Sequence, residues 1–187
     1  MAQQGLLFDS GPAVPGLHVV ADAIDAATEA ALVQRIDAAP LAPFQFGQWQ
    51  GKRLTAHYGS GYDYQRSRPV PAPRMPDWLA ALRAQLAPLL KREPEDFGQA
   101  LLIRYDPGAG IGWHRDRPHY AEVIGLSLCA PAVLRLRRRS GDGFERRKVD
   151  LAPRSAYLLS GEVRSSWEHS IAPMARTRRS ITFRSLR

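Results

Sequence analysis

Three side chains in the second half of the chain have the types and spacing to hold one metal ion. His114 and Asp116 are two apart, so on an extended segment both leave the same face. His169 lies far downstream and has to come from another strand. Two imidazoles and one carboxylate on one face of an octahedron leave the remaining positions open, as ferrous oxygenases need for a co-substrate and dioxygen. Zinc accepts the same donors. Taken alone, a His-x-Asp pair is equally a surface or hydrogen-bonded core feature. Arg178 and Arg184 change that balance. On a strand their even spacing aims both from one face, shared with the small Thr182, while Ile181 and Phe183 face the opposite layer. Two guanidiniums aimed into a barrel are costly unless anions meet them. A dicarboxylate such as 2-oxoglutarate would do so, because Arg grips a carboxylate through two parallel hydrogen bonds. Acidic side chains on neighbouring strands are the alternative. An arginine pair has no use in a zinc hydrolase, which favours iron.

The elements that must carry these residues follow from patterning. From Gln99 onward, strands are predicted at Ala100–Tyr105, Val123–Cys129, Val133–Arg138, Arg146–Leu151, Ala156–Leu159 and Ser180–Arg184, with Ser140-Gly141-Asp142-Gly143 as a tight turn. Upstream, Asp25 caps a helix through Ala26–Ala39, with Ala27, Ala31, Leu32 and Ile36 on its core face and Pro40 as its stop. A second helix starts near Asp77, buries Trp78, Leu79, Leu82 and Leu86, and is kinked or ended by Pro88. Residues 41–66 read as short strands and loops, and Pro69 to Pro76 as extended chain. The expected fold class is α+β, mainly β: a double-stranded β-helix, or jelly-roll, barrel braced by N-terminal helices.

Composition bounds the possibilities. An apolar fraction of 44% over 187 residues suits one domain with a packed core and excludes a disordered chain. The net charge of +8, mostly arginine, fits a polyanionic partner such as nucleic acid, or simply a solvated basic surface. Cys129 is the single cysteine, so no intramolecular disulfide is possible; this fits a reducing cytoplasm, with the thiol packed in an apolar run. Met1 to Pro15 lacks the pattern of a secretory signal, and no apolar run could span a bilayer. Residues 1–18 read as an irregular lead-in, and a monomer is expected.

Leu102-Ile103-Arg104-Tyr105-Asp106-Pro107-Gly108, then His114-Arg115-Asp116, Gly161-Glu162, His169-Ser170-Ile171 and Arg178 through Thr182-Phe183-Arg184 follow in an order and spacing that together resemble the AlkB family of nucleic-acid dealkylating oxygenases. This covers residues 99–187. A weaker stretch, Phe46-Gly47-Gln48-Trp49 and Tyr58 to Tyr64, is similar to the nucleotide-recognition lid before the barrel. The resemblance implies one oxygenase domain over 1–187, with helices and lid in 1–98 and the catalytic jelly roll in 99–187. It implies that His114, Asp116 and His169 bind Fe(II), that Arg178 and Arg184 hold the two ends of 2-oxoglutarate, and that Tyr105 adds a hydrogen bond. Ser180 stands where members often carry an asparagine that touches the co-substrate, and Ile103 replaces another. The implied reaction consumes O2 and 2-oxoglutarate, releases succinate and CO2, and hydroxylates a nearby C–H bond. A hydroxylated N-alkyl group then collapses to an aldehyde and the repaired base in DNA or RNA.

One departure bears on substrate. Many members have an acidic residue two positions after the iron aspartate, where this chain has Pro118; Glu122 is a possible substitute. Other features favour nucleic acid. Arg135, Arg137, Arg139, Arg146, Arg147 and Lys148 flank the predicted hairpin turn, with Arg137 and Arg147 expected to bind phosphates. Phe46, Tyr58 and Tyr62 are expected to stack on an unpaired or flipped base, and Trp49 to pack in the core. Three functions compete: base dealkylation in nucleic acid, the same oxygenase chemistry on a protein or small molecule, and non-catalytic nucleic-acid binding. The intact metal and arginine sets argue against the third. The basic hairpin and aromatic lid favour the first.

Overall fold

The fold is known from a computed structural model that describes residues 14–46, 48–63 and 68–187, without the side chains at 46, 49, 60–63 and 68–71. In chain order the elements are β1 (Leu17–Val20), α1 (Ala26–Asp37), β2 (Ala42–Phe46), β3 (Trp49–Tyr58), β4 (Ser60–Asp63), β5 (Arg68–Pro71) and α2 (Asp77–Leu89). The second half adds β6 (Gln99–Tyr105), β7 (Ile111–His114), β8 (Tyr120–Leu128), β9 (Ala132–Ser140), β10 (Gly143–Leu151), β11 (Ala156–Leu159), α3 (Gly161–Ser165), β12 (Glu168–Ile171) and β13 (Arg178–Leu186).

The strands form the expected jelly roll. A larger antiparallel sheet runs β1-β11-β8-β13-β6-β3-β2, a smaller one runs β10-β9-β12-β7, and β4 pairs with β5 as a separate ribbon. Alternation along each strand separates two layers. Ala100, Leu102, Ile124, Leu126, Leu158, Ile181 and Phe183 leave the larger sheet on the side of α1 and α2, where they share one core with Leu32, Ile36, Leu79, Leu82 and Leu86. The opposite face looks toward the smaller sheet, whose Leu134, Leu136 and Ile171 pack with Val123, Tyr157 and Leu159.

Register writes that inner face in rows, because directly paired residues share a face. Leu159, Val123, Arg184 and Gln99 form the first row. Tyr157, Gly125, Thr182, Leu101 and His57 form the second. Ser127, Ser180, Ile103 and Thr55 form the third, and Arg178 with Tyr105 the fourth. At Gly125 the close approach is real: a Cβ there would lie 2.1 Å from Cζ of Tyr157, whose ring lies over the glycine.

Two details differ from the sequence reading of α1. The helix is capped by Asp25, which accepts from the Thr28 amide at 2.7 Å, but it ends at Asp37 rather than Ala39. Leu32 and Ile36 are buried as expected, whereas Ala27 and Ala31 are exposed. The helix is turned so that Glu29 faces the sheet edge, where its carboxylate accepts from the Cys129 amide at 2.7 Å and from Arg154 at 3.3 Å. α2 runs from Asp77 to Leu89, ending just past Pro88, with Leu79, Leu82 and Leu86 buried and Trp78 half-buried against the same core. The short strands β7 and β12 are too brief to show a period, so patterning gave them no bounds, although the metal-ligand spacing asked for an extended segment at His114 and another strand at His169.

Candidate functional site

Pairing of β7 with β12 sets His169 directly opposite His114. Their rings lie 4.2 Å apart between centroids. Asp116 follows just beyond the end of β7, and its Oδ1 is 3.7 Å from Nε2 of His114. One ligand atom from each of the three lies within 4.8 Å of the others, close enough to meet on a single ion. His114 Nδ1 lies 2.9 Å from the Gly112 carbonyl, an arrangement that leaves Nε2 as the ligand atom.

Protonation states suit a cation. Burial alone would raise the Asp116 carboxyl, but the Arg184 guanidinium beside it and the neighbouring imidazoles hold it well below the usual carboxylate range. Burial, reinforced by His114, pushes His169 down to about 3. At neutral pH the site therefore offers a carboxylate and a neutral imidazole from these two residues, the forms that bind metal.

The arginines stand on β13 as the spacing required, but their surroundings differ. Arg184 donates from Nε to Oδ2 of Asp116 at 3.2 Å and from Nη1 to Gln99 Oε1 at 3.0 Å. For this residue the acidic-neighbour alternative holds in part. Arg178 is fully buried, stacks 5.2 Å above the Tyr105 ring, and among the described residues donates to the Ser127 hydroxyl alone, at 3.3 and 3.2 Å. Its Nη1 is buried with no partner among the described residues, and so is Oγ1 of Thr182 on the same face. A buried guanidinium without an anion is costly, and an unmade buried hydrogen bond costs about 1–3 kcal/mol. A carboxylate-bearing ligand would satisfy both atoms, so these residues fit 2-oxoglutarate. Ser180 is buried in the row between them.

A cavity of about 920 Å³ opens on Asp116 and His114. Among the described residues, six arginines line it, Arg53, Arg115, Arg117, Arg164, Arg184 and Arg187, against two carboxylates, Asp116 and Glu168. Glu168 is already bonded to Arg137 at 2.6 Å. Phe44 and His57 form its wall on the β2–β3 side. Burial first, then Arg184 and Arg53, pushes His57 down to about 4, and its Nδ1 is buried without a partner. Arg164, nearly buried, is held by the carbonyls of Arg117 and Tyr120, each at 2.7 Å.

Several expected substrate contacts need correction. Tyr58 pairs with Ala100 and packs on the helix-side core, so it faces away from the cavity; its neighbour His57 faces in. The side chains of Phe46, Trp49 and Tyr62 lie outside the described residues. Glu122 is held by Arg92 through two bonds of 2.6 and 2.9 Å and is no part of the cavity wall. Arg137 and Arg147 do not share a face. Arg137 pairs opposite Arg146, whereas Arg147 pairs opposite Leu136. Arg137 lies between the Trp113 and Phe144 rings, at 4.5 and 4.4 Å, and Arg147 is tied to Glu145. Pro118 lines the cavity as the sequence suggested.

Sequence reasoning missed His57, Gln99, Arg164 and Tyr157. Gln99 and His57 could have been found from strand register, since they pair with Arg184 and Leu101. Arg164 sits in a five-residue helix that carries no periodic signal. Tyr157 looks like ordinary core in an apolar run.

A family model described as the 2OG-Fe(II) oxygenase superfamily matches residues 30–186. An Arabidopsis thaliana protein named "Alkylated DNA repair protein ALKBH8 homolog" is 29% identical over 195 residues, covering 88% of this chain and 53% of that protein. A Xenopus tropicalis tRNA (carboxymethyluridine(34)-5-O)-methyltransferase, alkbh8, is 31% identical over 169 residues, 85% of this chain and 25% of that one. The chain thus spans about half or less of the length of these relatives. Among solved structures, OsALKBH1 superposes with a TM-score of 0.67 at 15% identity, over 92% of this chain and 97% of that one. A Pseudomonas putida prolyl-4-hydroxylase superposes at 0.59 with 18% identity, over 92% and 93%. At such identities the two structures speak for the fold.

Proposed function

The chain belongs to the 2OG-Fe(II) oxygenase superfamily, and from that premise we propose that it removes alkyl groups oxidatively from bases in DNA or RNA, as a repair dioxygenase. As a member it uses Fe(II), 2-oxoglutarate and O2. The observation that carries the substrate reading is the cavity beside His114 and Asp116, whose described lining is rich in guanidiniums suited to an anionic polymer. The Arabidopsis relative's name speaks of alkylated DNA repair and the Xenopus relative's of tRNA, so both names support a nucleic-acid substrate and the first supports dealkylation.

In this reading His114, Asp116 and His169 hold the iron. Arg178 takes one carboxylate of 2-oxoglutarate with its open Nη1, and Arg184 takes the other end beside the metal, with Tyr105 and Ser180 completing the cradle. When bound, iron and co-substrate supply, with O2, the oxidising power to hydroxylate a C–H bond. The protein's own part is orientation. Asp116 keeps the Arg184 fork in place, Gln99 braces it from the other side, and the Ser127 hydroxyl holds Arg178. The lid aromatics Phe46 and Tyr62 stack on the extruded base, since a stacked duplex would keep an alkyl group out of reach. The outward face of the β9–β10 hairpin guides the strand. There Arg137, Arg139 and Arg146 lie 4.4, 4.9 and 5.6 Å from the Phe144 ring, and Arg137 continues to Trp113 at the cavity wall. The whole chain acts as one domain and as a monomer. No described helix is long and apolar enough to cross a membrane, and a reducing cytoplasm suits the single cysteine and the ferrous ion.

The test is a turnover screen with iron(II) and 2-oxoglutarate on single-stranded DNA and RNA carrying methylated or etheno-adducted bases, measuring aldehyde and product base. Release of aldehyde in step with succinate is expected. If none of these oligonucleotides is bound or dealkylated while a peptide or metabolite is oxidised, the same chemistry serves a protein or small molecule instead.

A further inference from the structure

We propose that the cavity selects alkylated bases that are neutral at neutral pH and rejects cationic ones; this rests on the nucleic-acid reading above. Once Arg184 and Asp116 are engaged with co-substrate and metal, the charged groups left in the wall among the described residues are Arg53, Arg115, Arg117, Arg164, Arg187 and Glu168. Glu168 is held by Arg137 at 2.6 Å, so it is not free to meet a cation. Pro118, two residues past Asp116, also lines the cavity and adds no charge to it. A positive base would therefore enter a wall of guanidiniums, where two like charges at 4 Å repel by about 4 kcal/mol at an effective dielectric near 20. His57 reports the same field, since Arg184 and Arg53 add to burial in keeping its imidazole neutral. That neutral ring lines the cavity without adding a charge to it. The class implied is an N3-alkylated uracil or thymine or an N1-alkylated guanine, not a 1-alkyladenine or 3-alkylcytosine.

The test uses one single-stranded sequence carrying 3-methylthymine, 3-methylcytosine or the unmodified base. Binding is measured anaerobically to Mn(II)- and 2-oxoglutarate-loaded protein, and turnover with iron. The neutral lesion is expected to bind and react at least ~10-fold better than the cationic one. Pro118→Asp is expected to shrink or reverse that ratio by offering a carboxylate. Equal or better use of 3-methylcytosine by the unaltered protein overturns the inference and leaves the nucleic-acid reading standing. Failure to bind any of the three overturns the nucleic-acid reading, and this inference with it.

A separate observation, the interlock of Tyr157 with Gly125, points to Tyr157 as a further positioning residue for 2-oxoglutarate. Gly125 pairs with Tyr157 on one side and Thr182 on the other. A Cβ on Gly125 would meet the Tyr157 hydroxyl at 2.4 Å, so the phenol reaches across β8 toward β13. There it faces the strand carrying Arg178, Thr182 and Arg184, two of whose buried atoms, Arg178 Nη1 and Thr182 Oγ1, await a ligand. Burial pushes the phenol up to about 12, against the pull of Arg178, so it stays a hydrogen-bond donor. Any side chain at Gly125 would evict it. Tyr157→Phe keeps the ring and deletes only the donor. Calorimetric titration of 2-oxoglutarate into the Mn(II)-loaded protein is expected to show ~5–10-fold weaker binding, with the melting temperature kept within a few degrees. An unchanged dissociation constant, or a loss of melting temperature without a loss of affinity, shows that the ring only fills the core.

Discussion

The co-substrate side of the barrel and the basic hairpin are both rich in arginine, yet they hold it in opposite ways. On β13, among the described residues, Arg178 is sealed in the core with an atom left unbonded, and Thr182 on the same face is also unmet. On β9 and β10, by contrast, Arg137 is bonded to Glu168, Arg138 to Glu145 and Glu162, and Arg147 to Glu145. The first region stores an unmet demand for an anion. The second has spent much of its charge on its own carboxylates. Net charge therefore overstates the hairpin, and burial without a partner marks the ligand site more sharply than any count of cations.

The largest effect should come from the strand-held side. His114→Ala, Asp116→Ala and His169→Ala are each expected to abolish iron-dependent succinate production while circular dichroism stays native. Wild-type turnover by any one of them, with iron still bound, would falsify the triad. Asp116→Ala carries a second cost, because Arg184 loses the carboxylate of a pair only about a tenth exposed on either side. Its metal-free form should be the least stable of the three in urea, since breaking a buried pair typically costs about 3–5 kcal/mol.

Arg178 sharpens the contrast further, because stability and function should move in opposite directions. Arg178→Met removes a buried charge that no carboxylate meets, so the ligand-free protein is expected to melt at the same temperature or higher. The same change should weaken 2-oxoglutarate by ~10–100-fold, the worth of a charge-assisted hydrogen bond. Arg184→Lys keeps the charge but loses the fork, and should weaken the co-substrate less than Arg178→Met does. A lower melting temperature with unaltered affinity in Arg178→Met would mean that the guanidinium is structural.

The same contrast explains what was legible in the sequence. Arg178, Thr182 and Arg184 alternate with Ile181 and Phe183 on one nine-residue strand, so their shared face followed from period two alone. His114 and His169 stand on four-residue strands that show no period, and their meeting depends on which strands pair. Their recognition came from motif order, not from patterning. Tyr58 shows where the reading failed. An aromatic in a lid-like stretch looked like a stacking partner, but a one-residue change of face gives the cavity to His57 and Tyr58 to the helices. Arg137 and Arg147, both expected to bind phosphates, leave opposite faces of their hairpin, where cross-strand register, not the count of basic residues, decides which side chains share a surface.

His57 gives a smaller effect with a definite sign. In the folded, metal-free protein it stays neutral to about pH 4, whereas an unperturbed imidazole titrates near 6.5. Between these values the unfolded chain binds more protons, so stability should fall as pH drops from about 6.5 to about 4. His57→Gln should flatten that dependence in urea titrations across this window. An unchanged slope would mean that the ring is charged in the fold and that the cavity field is weaker than its arginines suggest.

The smallest effect is expected on the hairpin, and it discriminates between its two faces. Arg139 and Arg146 are exposed and lean on the Phe144 ring on the face that leads through Arg137 to Trp113 and the cavity. Arg147 leaves from the other face and is tied to Glu145. If a strand runs along the first face, Arg139→Ala and Arg146→Ala should each weaken binding of every single-stranded sequence and lower the slope of log affinity against log salt by about 0.7, the release expected per phosphate contact on a single strand. Arg147→Ala should leave that slope nearly unchanged, because its charge is already offset within the protein. Equal slopes for all three variants would remove the distinction and make the hairpin an undirected basic surface. A larger loss from Arg147→Ala would put the strand on the opposite face, away from the path through Trp113.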